Sequence, residues 1–360
     1  MSSNKTKKRI IYLDYLRVLA ILGVLINHIS ATWGHMAFNG NVALVYNSLG
    51  KIGVPVFLML TGVLLLNNKL PISSFIKRRY PRVLIPFIFW IALFIIYDFF
   101  VLRPELFNGN IINQILLCFF TYRWYVWMIL GVYLIIPIFA AFIKNSKLEG
   151  VKYFLIIWYI TTALFTLSIL FDFQMKFLDL VIFSGPIGYL MLGYYLHNKE
   201  FKINPKKIVV ISVILFIILT VFKAYMLNAD VFNPYKFRYV IFLTRSKLDI
   251  DTISILQAAF IFLLFKYIPK VKSGFFKKIS GFCNKKTVLA LIISISQASY
   301  GIYLNHYFIV AYLKDIHFPF KSFPSIIFVP IFAISILFIS YGIILILNKV
   351  PIINKLTGYH

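Results

Sequence analysis

Residues 9–33 read R-I-I-Y-L-D-Y-L-R-V-L-A-I-L-G-V-L-I-N-H-I-S-A-T-W. The run is long and apolar enough to cross a bilayer as a helix, because about 20 such residues span the roughly 30 Å hydrocarbon core. It nevertheless carries Asp14, Arg17, Asn27 and His28 within the span. Ionisable side chains are costly in hydrocarbon and usually face a bundle interior or a wet cavity. We therefore predict that this helix carries the active centre.

Arg17 and His28 lie on one stripe of this predicted helix. They are eleven positions apart, which leaves them about 20° apart around the axis and about 16 Å apart along it. Both side chains should therefore face the same space, on a polar path that starts at the inner face of the membrane. Asp14, about one turn before Arg17, is placed to pair with its guanidinium and to reduce the cost of burying both charges.

The composition is that of a membrane protein. Of the 360 residues, 61% are hydrophobic and 13% charged, and the mean hydropathy is +0.87, whereas a soluble domain has about 25% charged residues. We predict an all-α polytopic helix bundle that forms a single domain over residues 1–360, with no fused soluble domain. The two cysteines, Cys118 and Cys283, have no spacing that indicates a disulfide framework or a metal site.

Ten apolar runs have spanning length. They lie near residues 10–31, 49–67, 83–101, 124–143, 152–171, 177–197, 207–227, 252–268, 287–312 and 324–348. With the N-terminus inside, most of the 37 lysines and arginines fall in inner segments, which predicts an even number of spans with both termini cytoplasmic. The net charge of +26 therefore reflects topology and attraction to the lipid bilayer, and it needs no nucleic-acid partner.

The inner segment before the third predicted span and a stretch of the second span hold candidates for donor binding and for packing. Arg79 and Arg82 form an R-x-x-R pair that shares one face if it is helical, and guanidinium forks suit phosphate oxygens. Anchoring to lipid phosphate explains this pair equally well. Thr61-Gly62 in the second span favours close helix packing.

The predicted fourth and ninth spans carry candidates for the acceptor side. Tyr122 and Trp124 begin the fourth span and could stack on a sugar, although an aromatic belt explains most of this cluster. Ser299, Tyr303 and His306 recur at spacings of four and three, so they share a helix face. A lone interior histidine is usually structural, and a functional or supporting role for His306 is the alternative.

Together these stretches resemble acyltransferase family 3, the integral-membrane group that includes bacterial surface-polysaccharide O-acetyltransferases. The resemblance rests on a D-x-x-R followed by a histidine, V-P-x-F-x-x-x-T-G, R-x-x-R, the aromatic start of the fourth span and S-Y-x-I-Y-L-x-H, in this order over nearly the whole chain. It implies a ten-helix bundle in a bacterial cytoplasmic membrane. An acyl group, usually acetyl, would pass from cytoplasmic acetyl-coenzyme A (acetyl-CoA) to a hydroxyl of an extracytoplasmic cell-surface glycan or its lipid-linked precursor.

The resemblance also implies residue roles. His28 would be the catalytic base or a transient acyl carrier, Arg17 with Asp14 would lie on the donor path, and Arg79 and Arg82 would face the phosphates of the coenzyme. Tyr122-Arg123-Trp124-Tyr125 departs from the His-Leu-Trp-Phe that many relatives carry, so the acceptor side is expected to differ. Some relatives also have an extracytoplasmic hydrolase-like domain, which here is expected to be either a separate periplasmic or extracellular partner protein or absent.

Two other functions fit the residues. A polysaccharide or solute exporter would use Arg17 and His28 as a binding or proton-relay path. A structural subunit of a polysaccharide-synthesis complex would need no chemistry at His28. The R-x-x-R pair favours the enzyme, because an exporter gives no reason for it beyond lipid anchoring.

Overall fold

The computed structural model describes residues 9–34, 40–67, 71–102, 111–116, 118–119, 124–171, 185–227, 251–319 and 322–359. Within these ranges the regular structure is helical, which confirms the predicted all-α class. The α-helices are α1 Ile11–Ile29, α2 Gly40–Gly50, α3 Gly53–Leu65, α4 Ile72–Tyr97, α5 Ile111–Leu116, α6 Trp124–Phe171, α7 Ile187–Asn198, α8 Pro205–Leu227, α9 Thr252–Tyr267, α10 Gly274–Cys283, α11 Lys286–Asp315 and α12 Ser325–Asn348.

Eight stretches in the described part of the chain are long and apolar enough to cross a membrane. One of them, in α6, turns back at Lys147, whose φ is 54°. The rings of Phe139 and Phe154 lie with centroids 5.4 Å apart, whereas a straight helix would separate these positions by about 22 Å. α6 is therefore a hairpin whose two arms correspond to the predicted spans 124–143 and 152–171.

The hairpin and the seven other long stretches account for nine of the ten predicted spans. The tenth, 177–197, is described only from residue 185, and α7 begins directly after Gly185-Pro186. The predicted span 49–67 corresponds to α3, and the apolar stretch extends back to Asn41 through α2, which meets α3 at Lys51-Ile52.

α1 is the central helix of the bundle. It packs against α2, α3, α9, α11 and α12. In its apolar stretch 56% of the residues are buried, which is less than the 72% of the stretch formed by α2 and α3 but more than the 33% in those of α6, α8 and α12. The polar side chains of α1 therefore face protein, as their burial cost requires.

Glycines allow α3 to approach two neighbouring helices. A Cβ on Gly53 would lie 2.7 Å from the carbonyl oxygen of Ala20 in α1, and a Cβ on Gly62 would lie 2.0 Å from that of Leu190 in α7. Side chains at these positions would hold the backbones apart. The predicted packing role of Thr61-Gly62 is confirmed for Gly62, whereas the Thr61 hydroxyl donates to the Phe57 carbonyl oxygen of its own helix.

Both ends of the described chain lie at one end of the bundle, which we call the terminal end. Ser296 of α11 donates a hydrogen bond to Asp14 in the first turn of α1 (2.7 Å). The neighbouring Gln297 accepts one from the Tyr359 hydroxyl near the C-terminus (3.3 Å). A chain that begins and ends on one side crosses the membrane an even number of times, as predicted.

Candidate active site

A cavity of about 390 Å³ lies between α1, α3, α4, α6 and α11. Five of the predicted site residues line it: Arg17, Arg79, Arg82, Ser299 and Tyr303. The rest of the lining combines apolar side chains of α3 with polar groups of α6 and α11. These are Phe57, Leu60, Thr61, Leu64, Leu65, Val83, Tyr125, Ile129, Tyr133, Ser296, Gln297 and Tyr300. The structure therefore assembles one site from residues that lie far apart in sequence.

Three guanidinium groups give the cavity a positive charge. Arg79 and Arg82 stand one turn apart on α4, so the predicted common face is confirmed. Arg82 is exposed, whereas Arg79 and Arg17 are partly buried, so the cationic groups run from the surface inward. The lining residues described here include no aspartate or glutamate, and the cavity is therefore suited to an anion.

Asp14 pairs with a different arginine from the one we predicted. Arg9 Nε and Nη2 donate to its two carboxylate oxygens at 2.8 and 2.7 Å, and these hydrogen bonds raise the pKa of the Arg9 guanidinium above its ordinary value. Arg9 precedes the first residue of α1, so its side chain can fold over the first turn. The Arg9 guanidinium therefore binds both carboxylate oxygens of Asp14.

Arg17 is linked to Asp14 through Ser296. Its Nη1 donates to the Ser296 hydroxyl at 3.4 Å, and that hydroxyl in turn donates to Asp14. Because Arg9 neutralises the carboxylate, Arg17 contributes its charge to the cavity, which its side chain lines. Arg9 was missed in the sequence because it lies outside the apolar run.

A layer of aromatic rings lines the cavity at the depth of Tyr303. The ring centroids of Tyr125 and Tyr303 are 5.0 Å apart, and those of Phe57 and Tyr125 are 6.2 Å apart. Along α11, Tyr303 stands about 10 Å deeper than Ser296, which is at the level of Arg17. The cavity therefore runs from the arginines to these rings.

His28 and His306 lie beside each other, one ring beyond Tyr303. The ring of Tyr303 is 5.8 Å from that of His306, and the His306 ring is 5.3 Å from that of His28, with 33° between their planes. Neither histidine is among the cavity-lining residues. The sequence predicted them separately, on two spans, and the packing of α1 on α11 brings them together.

Backbone contacts set the tautomer of His306. Its Nδ1 lies 2.6 Å from the carbonyl oxygen of Tyr303, and because a carbonyl only accepts, Nδ1 carries the proton. In the neutral ring, Nε2 then holds the lone pair. His306 is thus oriented by its own helix, whereas Asn305 next to it donates to the Ser340 carbonyl oxygen of α12 (3.1 Å) and serves packing.

The predicted acceptor residues do not all come together. Ser299 and Tyr303 line the cavity, at the level between the arginines and the histidines. Trp124 lies against Tyr125, with 6.2 Å between ring centroids, and is not among the cavity-lining residues. Tyr122 lies outside the described residues.

Tyr125 and Tyr133 are site residues that our sequence reasoning missed. Tyr125, Ile129 and Tyr133 follow one another at four-residue spacing on the first arm of α6, and all three line the cavity. That spacing places them on one helix face, so the signal was present. It was hidden by the more conspicuous Tyr122-Arg123-Trp124 cluster that precedes it.

The described helices form the bundle of a multi-pass membrane protein. Inside the bundle an arginine-lined cavity leads toward two adjacent histidines, and such a site suits an enzyme. The chain belongs to acyltransferase family 3: the family model, described as an acyltransferase domain, matches residues 10–345. The match includes α1 to α11 and every site residue named above except Arg9. Searches of curated proteins and of solved structures returned no match. The protein is therefore a membrane acyltransferase.

Proposed function

We propose that the protein transfers an acyl group, most simply acetyl, from acyl-coenzyme A in the bacterial cytoplasm to a hydroxyl of a cell-surface glycan or its lipid-linked precursor outside the cell membrane. The observation that carries this proposal is the cavity, which has three arginines on one side and an aromatic layer with two histidines behind it on the other. Acyl-coenzyme A fits this arrangement. Its polyanionic nucleotide suits the arginines, and its thin arm ends in the thioester that must reach the histidines.

The arginines and the apolar wall suit different parts of this donor. Arg79 and Arg82 present forked donors that bind phosphate oxygens in bidentate geometry, with Arg82 at the exposed end. The arm would pass along the α3 side chains Leu60, Leu64 and Leu65. We assign the terminal end to the cytoplasm, because the segments predicted there carry most of the lysines and arginines.

His28 supplies the chemistry in this proposal. As a general base, its imidazole takes the proton of the acceptor hydroxyl while the hydroxyl oxygen attacks the thioester carbonyl carbon. The carbon–sulfur bond then breaks, and the leaving thiolate takes the proton back from the imidazolium. The products are an ester and free coenzyme A. If His28 instead carries the acyl group transiently, the products are the same and an acylated His28 would be trapped.

The two substrates approach the histidines from opposite sides. The donor comes through the cavity, and Tyr303 must shift for the thioester to reach His28, because its ring lies between the cavity and His306. The acceptor would enter from the far side, where α6 begins at Trp124. Tyr122 and Trp124 are our proposed contacts for its sugar, together with His306 beside His28.

Donor binding to the full-length protein in nanodiscs tests the proposal without needing the acceptor. We expect calorimetry to detect acetyl-CoA binding that weakens in Arg79→Ala. Arg78→Ala is the matched control, because Arg78 is exposed on the same helix and is not among the cavity-lining residues. Equal affinity for acetyl-CoA in both variants would show that Arg79 does not belong to the donor site.

Free-thiol release from acetyl-CoA, with water in place of the acceptor hydroxyl taking the acyl group as acetate, then tests the chemistry. His28→Ala should lower kcat by about 10²–10⁴-fold and leave the Kd for acetyl-CoA unchanged, because His28 lies beyond the cavity. If the parent protein neither binds acetyl-CoA nor releases thiol, the coenzyme A proposal fails, and movement of a labelled solute should be measured instead.

A further inference from the structure

α10 is a short helix whose apolar side is exposed. It lies in the connection between α9 and α11, and none of its ten residues is buried. Phe275 and Phe282 are 70% and 57% exposed. Phe275, Ile279 and Phe282 follow at spacings of four and three, so they form one stripe, while Lys277 lies on the opposite side and Lys278 flanks the stripe. The helix is therefore amphipathic.

Its position along the chain places α10 at the membrane surface. It follows the end of one spanning stretch at Lys270 and ends just before another begins at Lys286. The Tyr15 hydroxyl of α1 donates to the Cys283 carbonyl oxygen at 2.6 Å, so the end of α10 is fixed at the terminal end of the bundle. Phe276 packs against the small apolar cluster that contains Tyr267 and Val271, which fixes the other end.

The chain segment that contains α10 carries only positive charges. The segment from Lys266 to Lys286 contains seven lysines and no acidic residue. The Lys285 ammonium lies 5.3 Å from the centre of the Phe282 ring, so a cation stands beside the exposed apolar stripe. Aromatic side chains next to lysines suit the boundary between acyl chains and anionic headgroups.

We infer that α10 is an interfacial helix that binds anionic phospholipid in the leaflet at the terminal end. Phe275, Ile279 and Phe282 enter the acyl-chain region, and Lys277 and Lys278 contact headgroup phosphates. The occupant is lipid rather than a soluble protein because the stripe lies level with the ends of two spans and because the charged side chains of its own segment, residues 266–286, are all lysines. Among the described residues, Glu200 neutralises only Lys266 and Lys270, which precede α10. This inference is independent of the acyl-transfer proposal.

Spin-label accessibility tests the depth of the helix in the full chain, reconstituted in nanodiscs of phosphatidylcholine and phosphatidylglycerol. Labels are placed singly through Phe275→Cys and Lys277→Cys in a variant that carries Cys118→Ala and Cys283→Ala. We expect the label at 275 to be relaxed by oxygen dissolved in the bilayer and the label at 277, on the opposite side of the helix, by a water-soluble nickel chelate. A water-accessible position 275 would overturn the inference and is the result expected of a protein-docking surface.

Native mass spectrometry of retained phosphatidylglycerol tests the headgroup contact. Lys277→Glu/Lys278→Glu should lower the apparent affinity by at least about thirty-fold, since each lysine near an anionic surface contributes roughly a factor of five and each glutamate adds repulsion. Lys206→Glu/Lys207→Glu makes the same charge change at exposed positions in the first turn of α8 and should retain the lipid. Equal loss in both variants would overturn the assignment to α10, because it would show a general effect of net charge.

Discussion

Asp14 is a buried charge in α1 whose countercharge comes from Arg9, so that it does not withdraw Arg17 from the cavity. Its side chain is 7% exposed and is held by the Arg9 fork and by the Ser296 hydroxyl. A buried carboxylate needs such partners, because leaving it unpaired costs several kcal/mol. Since Arg9 supplies the countercharge, Arg17 can face the cavity.

Removing Arg9 should therefore weaken donor binding, although Arg9 is not among the cavity-lining residues. In Arg9→Ala the Asp14 carboxylate should draw Arg17 away from the cavity and raise the Kd for acetyl-CoA about ten- to a hundredfold, the effect of losing one charged hydrogen bond. Arg9→Ala/Asp14→Asn should restore the affinity, because no carboxylate then competes for Arg17. Unchanged affinity in Arg9→Ala, measured by calorimetry, would make this pair purely structural.

His306 is a second residue whose contribution to acyl transfer can be measured separately from that of His28. Because it lies beside His28 rather than in the cavity, we expect His306→Phe to lower kcat for acyl transfer by about tenfold, less than the roughly 10²–10⁴-fold expected of the base itself. The Kd for acetyl-CoA should stay constant. Phenylalanine keeps a ring and removes the nitrogens, so full activity in His306→Phe combined with a loss in His306→Ala would mean that His306 contributes only packing.

At the scale of the elements, α3 links the site to the rest of the bundle. One part of it lines the cavity through Phe57, Leu60 and Thr61. Another part packs on α7 through glycines of both helices, since a Cβ on Gly193 would lie 2.2 Å from the Met59 carbonyl oxygen. The cavity wall is therefore positioned by backbone contact between these two helices.

Gly62→Ala should destabilise the protein through this contact. Its Cβ would meet the Leu190 backbone at 2.0 Å, and we expect a cost of about 3 kcal/mol, at the upper end of the usual range for overpacking. Gly131→Ala is the control, because a Cβ there has no neighbour within 4 Å and alanine favours the helix by about 1 kcal/mol. Thermal unfolding in detergent should separate the two variants, and equal melting temperatures would contradict the close packing of α3 on α7.

At the scale of the whole molecule, the C-terminal segment closes the bundle next to the proposed donor site. Thr357 is fully buried, and its carbonyl oxygen accepts a hydrogen bond from the Trp90 indole (3.2 Å). Tyr359 donates to Gln297, which lines the cavity, and also lies 3.2 Å from the Ser294 hydroxyl. The last residues of the chain thus help to orient a cavity side chain.

Tyr359→Phe should therefore raise KM for the donor about two- to fivefold with kcat unchanged, since a single neutral hydrogen bond contributes about 1 kcal/mol. Tyr153→Phe is a suitable control, because Tyr153 is 68% exposed on α6. Steady-state thiol release at varied acetyl-CoA concentration measures both parameters. If kcat falls in Tyr359→Phe while KM stays constant, the segment acts on the chemical step and not on donor binding.

The sequence by itself determined the features that depend on local pattern. Hydropathy and lysine distribution predicted an all-α membrane bundle with an even number of spans, and the helical period placed Arg79 with Arg82 on one face. The family could also be recognised from the order of short motifs around His28. These properties are encoded in neighbouring residues, so no knowledge of the packing was required.

Only the tertiary structure decided which groups meet. The contact of His28 with His306 joins positions far apart in the chain, and it depends on how α11 packs on α1. The link from Arg17 to Asp14 runs through Ser296, which α11 brings to this place, and the Tyr125 ring reaches Tyr303 from a third helix. Helical periodicity gives the face of a side chain but not the neighbouring helix, because that choice is made by the packing of the whole bundle.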